Sequence, residues 1–204
     1  MATYIDEITP VSTSGSGPSI SADGRYVAFR SDASNLVPGD TNGTGDVFVR
    51  DLQTGAITRV STNASGDQGN SASGDPSISA DGRYVAFYSS ASNLVPGDTN
   101  FLADVFVRDL QTGAITRVST NASGVQGNGG EHPSVSSWSP SISADGRYVA
   151  FDSYASNLVP GDTNGYADVF VRDLQTGAIT RVSTNASGDQ GNSFSSNPSI
   201  SADG

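Results

Sequence analysis

The side chains best suited to chemistry in this chain are acidic, and they recur. Asp40, Asn42 and Asp46 stand in the heptapeptide Asp40-Thr41-Asn42-Gly43-Thr44-Gly45-Asp46. The same spacing returns as Asp98, Asn100 and Asp104, and again as Asp162, Asn164 and Asp168. A hard cation such as Ca2+ takes several oxygen ligands around one point, and an Asp-x-Asn pair on a curled loop can supply them. Backbone carbonyls near Thr44, Leu102 and Tyr166 could add more. These nine residues are the candidate metal ligands, with Ca2+ as the candidate cofactor. The pattern departs from an EF-hand loop, because its fifth position is not acidic and the distal glutamate is missing. The competing reading is structural: Asp40 and Asn42 form Asx turns, and Asp46 anchors the loop through hydrogen bonds.

A second recurrent set flanks the turn Leu52–Gly55. Asp51 and Arg59 lie on either side of it, as do Asp109 and Arg117, and Asp173 and Arg181. A cross-hairpin ion pair is the expected role, with Arg50 as the alternative partner. Nucleophilic or transition-metal chemistry finds little material. The single histidine, His132, has no second His or Cys to share a metal with, and it cannot serve a Ser–His–Asp centre in three places. Carboxylates suited to acid–base work on glycosides are present. They occupy the same positions in every copy, however, whereas an active site normally occurs once. The expectation is a protein without catalytic residues.

The elements that carry these residues are three copies of one text. Pro18–Thr62, Pro76–Thr120 and Pro140–Thr184 are nearly identical, so that Arg25 returns as Arg83 after 58 residues and as Arg147 after 64. The six extra residues lie between Gly129 and Ser139, outside the repeat itself. A period of this length built from short strands and turns indicates stacked supersecondary units. In the first copy the expected strands are Pro18–Ser21, Arg25–Ser31, Asp46–Asp51 and Ala56–Thr62. Ala22-Asp23-Gly24 makes a tight turn between the first two, and Gly55 turns the last hairpin. Val27 and Phe29 point to one face of the second strand, Tyr26 and Ala28 to the other. Both faces are apolar enough to be covered. Leu36 and Val37 are expected to plug the long Ala33–Gly45 connection into the core.

Outside the copies stand two orphans. Ile8–Thr13 repeats the text of a fourth strand, and Pro198–Gly204 repeats a first strand with its turn. The divisions are therefore 1–17 (orphan fourth strand and link), 18–75, 76–139 and 140–197 (three units, the second with a long exit loop that holds His132 and Trp138), and 198–204 (a truncated further unit).

Composition narrows the partners. The chain has 204 residues, of which 35% are hydrophobic and only 15% charged, so the periodic Val, Phe, Tyr and Ile runs carry the case for a folded domain. Twenty-one acidic residues against ten arginines and no lysine leave a net charge of -11. Such a field repels nucleic acid and anionic membrane. No run is long and apolar enough to span a bilayer, and residues 1–20 carry no signal-like segment. Cysteine is absent, so no disulfide can staple the fold.

Four short antiparallel strands per unit, both faces apolar, and glycine turns at fixed offsets describe a propeller blade. The text Ser-Ala-Asp-Gly-Arg-Tyr-Val-Ala-Phe followed by Asp-Val-Phe-Val-Arg-Asp resembles the TolB-type, WD40-like PD40 β-propeller repeat. Asp23, Gly24, Ala28 and Phe29 match the first motif of that family, with Asp81, Gly82, Ala86 and Phe87, and Asp145, Gly146, Ala150 and Phe151, as their copies. Asp46, Val47, Phe48, Val49 and Asp51 match the second. The resemblance implies an all-β propeller and a periplasmic or secreted setting. It departs from the family in the longer Asn35–Asp40 connection. It also departs in its three blades, against the usual four to eight. A β-solenoid is the alternative fold.

Three blades leave apolar faces open, so the expected remedy is a homodimer that closes a six-bladed ring. The expected function is a non-catalytic scaffold or binding module that self-assembles. The alternative is a lectin-like or carbohydrate-active propeller, with Phe101 and Tyr166 as candidate sugar-facing aromatics. The near-identity of the copies fits recent duplication, a fragment of a longer propeller, or consensus engineering. The positions that do vary, Arg30/Tyr88/Asp152, Asp32/Ser90/Tyr154 and the loop Gly43-Thr44-Gly45/Phe101-Leu102-Ala103/Gly165-Tyr166-Ala167, are candidates for a recognition rim.

Overall fold

Each copy of the repeat folds into one antiparallel four-stranded meander. The computed structural model describes residues 17–129 and 139–204. Ile8–Thr13, His132 and Trp138 therefore lie outside the described residues. The first blade comprises β1 (Ser19–Ile20), β2 (Tyr26–Ser31), β3 (Asp46–Asp51) and β4 (Ile57–Arg59). The second comprises β5 (Ser73–Ile78), β6 (Tyr84–Ser89), β7 (Asp104–Asp109) and β8 (Ile115–Arg117). The third comprises β9 (Ser141–Ile142), β10 (Tyr148–Ser153), β11 (Asp168–Asp173) and β12 (Ile179–Arg181). Within each sheet the strands lie in chain order, and the described residues form no helix. This is an all-β propeller arrangement of three blades.

The register is the same in each blade. Phe29 faces Phe48, Phe87 faces Phe106 and Phe151 faces Phe170 across the central strand pair. Each pair has its ring centroids 5.9 Å apart. The core forms between blades rather than within them, because a single sheet cannot cover its own face. Ala28, Val47, Val49 and Val60 of blade 1 pack on Ile78, Val85, Phe87, Leu94 and Phe106 of blade 2. Val105, Val107 and Val118 of blade 2 meet Ile142, Val149, Phe151, Leu158 and Phe170 of blade 3 in the same way. Leu94 and Leu158 are buried, so the Leu-Val pair of the long connection enters the core in blades 2 and 3, whereas Leu36 and Val37 of blade 1 are only half-buried against Val27, Phe29 and Phe48.

Neighbouring blades are tied at their first strands. Ala22 N–H donates to Ala80 O, Ala80 N–H to Ala144 O, and Ala144 N–H to Ala202 O, each at 3.0 Å. Ile78 N–H donates to Ser19 Oγ and Ile142 N–H to Ser77 Oγ. Two differences from the sequence expectation have local causes. The fourth strand ends at Arg59 because the Ser61 hydroxyl, not a backbone carbonyl, accepts the Val47 N–H at 3.2 Å. In the second blade the first strand starts at Ser73, before Pro76. A bulge at Asp75, whose φ is +46°, lets the chain pair on both sides of the proline.

Candidate functional site

The nine candidate ligands sit in the loops that lead into β3, β7 and β11 and at the first residue of each of these strands. Asp46 is fully buried. Ser61 Oγ donates to its Oδ1 at 2.6 Å, and Gln68 Nε2 donates to its Oδ2 at 2.7 Å. The same Gln68 nitrogen donates to Asp40 Oδ1 at 2.9 Å. The Arg59 guanidinium lies 3.4 Å from both carboxylates. Asn42 points elsewhere: its Nδ2 donates to Gly69 O, and its Oδ1 accepts the Thr44 N–H in an Asx turn.

The arrangement recurs with little change. Gln126 bridges Asp98 and Asp104 at 2.8 Å each, with Arg117 3.7 and 3.5 Å away. Gln190 bridges Asp162 and Asp168 at 2.8 and 2.6 Å, with Arg181 3.8 and 3.7 Å away. Asn100 and Asn164 repeat the Asx turn. The loop thus brings its two aspartates together around a glutamine amide and a guanidinium, and sends the asparagine to the backbone, with Asn164 also donating to Asp168 Oδ2 at 3.4 Å. Among the described residues no group of three or more His, Cys, Asp or Glu is placed to hold a metal ion.

Burial pushes the carboxyls of Asp46 and Asp104 above their ordinary value, against the opposing pull of the Ser and Gln hydrogen bonds and the nearby arginine. Asp162 is raised as well, for the same leading reason. Gln68, Gln126 and Gln190 are the residues that reading the sequence missed. Their signal was available: Gln-Gly-Asn recurs in every exit loop, at 68–70, 126–128 and 190–192, although the residue before it changes.

The expected ion pair between Asp51 and Arg59 is not formed. Arg25 grips Asp51 instead, with Nε to Oδ1 at 3.0 Å and Nη2 to Oδ2 at 2.7 Å. Arg83 holds Asp109 and Arg147 holds Asp173 in the same two-pronged way. Register explains the correction. Tyr26 pairs with Asp51, which sets the adjacent Arg25 beside it. Arg59 pairs with Phe48, three residues from Asp51 and about 10 Å along the strand. Arg50 is not the partner either. The guanidinium holds each of these aspartates well below the usual carboxylate range.

Two clefts open between consecutive blades on the side of these arginine pairs. The first, about 560 Å³, is lined by Tyr26, Asp51 and Thr58 from blade 1 and by Arg83, Leu110 and Gln111 from blade 2. The second, about 500 Å³, has Tyr84, Asp109 and Thr116 facing Arg147, Leu174 and Gln175. Asp51 and Arg83, and Asp109 and Arg147, each belong to closed arginine–aspartate pairs, whereas Asp81 in the first cleft and Asp145 in the second are held only by a serine hydroxyl and a backbone N–H, so each wall adds one such carboxylate to its hydroxyl, amide and aliphatic surface.

The variable positions do not form one uniform rim. Arg30 bonds to Asp32 at 2.6 Å, and burial raises the Tyr88 phenol. Asp152 is buried, its Oδ1 accepting from the N–H groups of Ser139 and Asn197. Phe101 is 83% exposed. Tyr166 packs edge-on against Phe194, with centroids 4.7 Å apart. Neither Phe101 nor Tyr166 lines either cleft.

The architecture has known counterparts. The chain superimposes on TolB from Acinetobacter baumannii with a TM-score of 0.55 and 20% identity, over 92% of this chain and 35% of that one. It matches a TolB from Agrobacterium tumefaciens with a TM-score of 0.51 and 17% identity, over 84% of this chain and 50% of that one. The fold is that of the TolB β-propeller. The chain spans about a third to a half of the length of these structures. No family model matches the sequence, and no curated protein does.

Proposed function

We propose that this chain is a non-catalytic propeller module that assembles with a second copy of itself. The observation that carries the reading is a mismatch between its two end blades and its interior. Ile20 of blade 1 is 58% exposed, whereas its counterparts Ile78 and Ile142 are 7% exposed. Val182 of blade 3 is 48% exposed, whereas Val60 and Val118 are fully buried. Each open face is nearly identical in sequence to one that is covered elsewhere in the same chain. A second copy supplies that cover, and two copies of three blades close a ring of six about a two-fold axis. Support for the non-catalytic part comes from the carboxylates. They occur three times in one hydrogen-bonded setting, each with its own glutamine and arginine. The resemblance to TolB repeats supports a setting in the periplasm or outside the cell.

Light scattering during gel filtration tests assembly. The expected mass is twice that of the 20.8 kDa chain. A folded monomer at micromolar concentration would defeat the reading.

The two clefts favour a second reading, in which the ring carries small neutral ligands. An aliphatic floor (Val107, Ala114, Leu174) beside Thr116, Gln175 and Tyr84 suits a sugar, with C–H groups on one side and hydroxyls on the other. Titration calorimetry against a panel of neutral mono- and disaccharides tests it. Heat that disappears in a chain carrying both Thr116→Val and Thr58→Val supports binding there, and a flat trace across the panel removes it.

A further inference from the structure

Blade 3 is already followed by a short segment that behaves as the start of a fourth blade. Pro198–Gly204 has the sequence Pro-Ser-Ile-Ser-Ala-Asp-Gly, identical to Pro18–Gly24, Pro76–Gly82 and Pro140–Gly146. It forms no strand. It nonetheless makes the innermost contacts of the interior junctions. Ile200 N–H donates to Ser141 Oγ at 3.2 Å, as Ile78 does to Ser19 and Ile142 to Ser77. Ala202 O accepts from Ala144 N–H. The Tyr148 ring lies over Gly204, as Tyr26 lies over Gly82 and Tyr84 over Gly146.

The segment cannot make the outer contacts. At the interior junctions a part-buried arginine of the following blade clamps the blade before it. Arg108 Nη1 donates to Thr62 O at 3.0 Å and Asn63 O at 2.8 Å. Arg172 Nη1 donates to Thr120 O at 3.0 Å and Asn121 O at 3.2 Å. The equivalent carbonyls after blade 3 belong to Thr184 and Asn185, and among the described residues no arginine reaches them. The equivalent arginine in blade 1 is Arg50, whose guanidinium makes no hydrogen bond or ion pair among the described residues. Among the described residues, donor and acceptors of one clamp thus stand unmatched in blade 1 and after blade 3.

We infer that a second copy docks its blade 1 on blade 3, its Pro18–Gly24 displacing Pro198–Gly204, and its Arg50 closing on the carbonyl oxygens of Thr184 and Asn185. The inference rests on the self-assembly reading and specifies its interface. The exchange is favoured because the incoming and outgoing segments have the same sequence. Every inner contact that is lost is remade by an identical residue. The newcomer brings β2–β4 with it, covers Val182 and completes the arginine clamp. It also completes a third cleft on each chain, with Arg25, Leu52 and Gln53 of the second copy facing Tyr148, Asp173 and Thr180.

The absence of cysteine makes a crosslink test clean. In a chain carrying Ser141→Cys and Ile20→Cys, mild oxidation is expected to give a disulfide-linked dimer on a non-reducing gel, because docking brings the two positions within the span of a disulfide. Arg50→Ala is expected to weaken dimerisation at least about tenfold, through loss of two hydrogen bonds to a charged donor at each junction. A chain ending at Asn197, which lacks the competitor, is expected to dimerise at least as tightly as the full chain. A dimeric wild type whose doubly substituted chain stays uncrosslinked, and whose Arg50→Ala variant dimerises unchanged, overturns the inference and leaves self-assembly standing. A monomeric wild type overturns both. Circular dichroism of each variant separates a lost interface from a lost fold.

Discussion

The ring of Tyr84 lies where a side chain on Gly146 would have to go. A Cβ on Gly146 would overlap Cδ2 of Tyr84, and one on Gly82 would overlap Cδ2 of Tyr26. Gly24 has the same backbone, with φ +73°, yet nothing lies within 4 Å of the place its Cβ would take. The three positions share one local requirement and differ only in having a preceding blade. Gly24→Ala in the single chain should therefore cost about 1–2 kcal/mol, the penalty of a left-handed backbone alone. Gly82→Ala and Gly146→Ala should cost clearly more, because the tyrosine must also move. Chemical denaturation of the three variants checks the ranking. Equal losses would mean that the tyrosine–glycine stack contributes nothing to the blade junction.

Phe87 reports on the core between blades 1 and 2. It is fully buried, stacks on Phe106 and belongs to the cluster that includes Ala28, Val47 and Val60 of blade 1. Phe87→Ala should destabilise the chain by about 3–5 kcal/mol through lost apolar contact and the cavity left behind. A midpoint shift near zero in urea would show that the junction is not packed as described.

The acidic loops make opposite forecasts for a cation site and a structural network. Asp104 and Asp98 already share the Gln126 amide and the Arg117 guanidinium, so a calcium ion would have to displace both. Millimolar calcium should leave the melting temperature unchanged, since only a ligand that binds the native state raises it. Asp104→Asn should cost about 3 kcal/mol, because it leaves the largely buried Arg117 short of a counter-charge. Asp98→Asn should cost less, as an asparagine oxygen can still accept from Gln126. A calcium-dependent rise in melting temperature that Asp98→Asn abolishes would reverse this reading and make the loops metal sites.

What was legible in the sequence, and what was not, follows from the range of the contacts. The blades could be read because strand alternation and turns such as Asp23-Gly24 are local. The interior role of Leu94 and Leu158 was visible as an apolar pair interrupting a polar loop. The Asp51 pairing was misjudged because Arg59 is eight residues away and Arg25 is twenty-six. Only the register of β2 on β3 shows that the distant residue is the neighbour. Gln68 was missed for a related reason. It reaches Asp40 and Asp46 from an exit loop that reads as a crossing segment, and its recurrence in all three loops was the one available sign. That the Arg50 side chain meets no carbonyl among the described residues could not be found from sequence at all, since Arg50, Arg108 and Arg172 stand in the same text. Their difference lies in which blade comes before them.

The pH dependence of stability should reveal two opposed families of aspartate. Asp46 and Asp104 have folded-state pKa values raised by burial above the ordinary 3.8. Between those raised values and 3.8 the folded chain binds more protons than the unfolded one, so stability rises as pH falls. Asp51, Asp109 and Asp173 are depressed by their arginines. Their contribution is fully present above 3.8 and is lost as pH falls from there through their lower folded values. Relief of the repulsion within a chain of net charge -11 acts in the same direction as the first family. The melting temperature should therefore climb from neutrality to a maximum at about pH 4 and drop below it. Calorimetric scans from pH 7 to pH 2 measure this directly. Asp109→Asn should be less stable than the wild type near pH 4 and should lose less on further acidification, because its arginine pair is already broken. A melting temperature that falls steadily from pH 7 would mean that the buried Asp46 and Asp104 are not raised, and that the Gln68 and Gln126 networks hold them as ordinary ionised carboxylates.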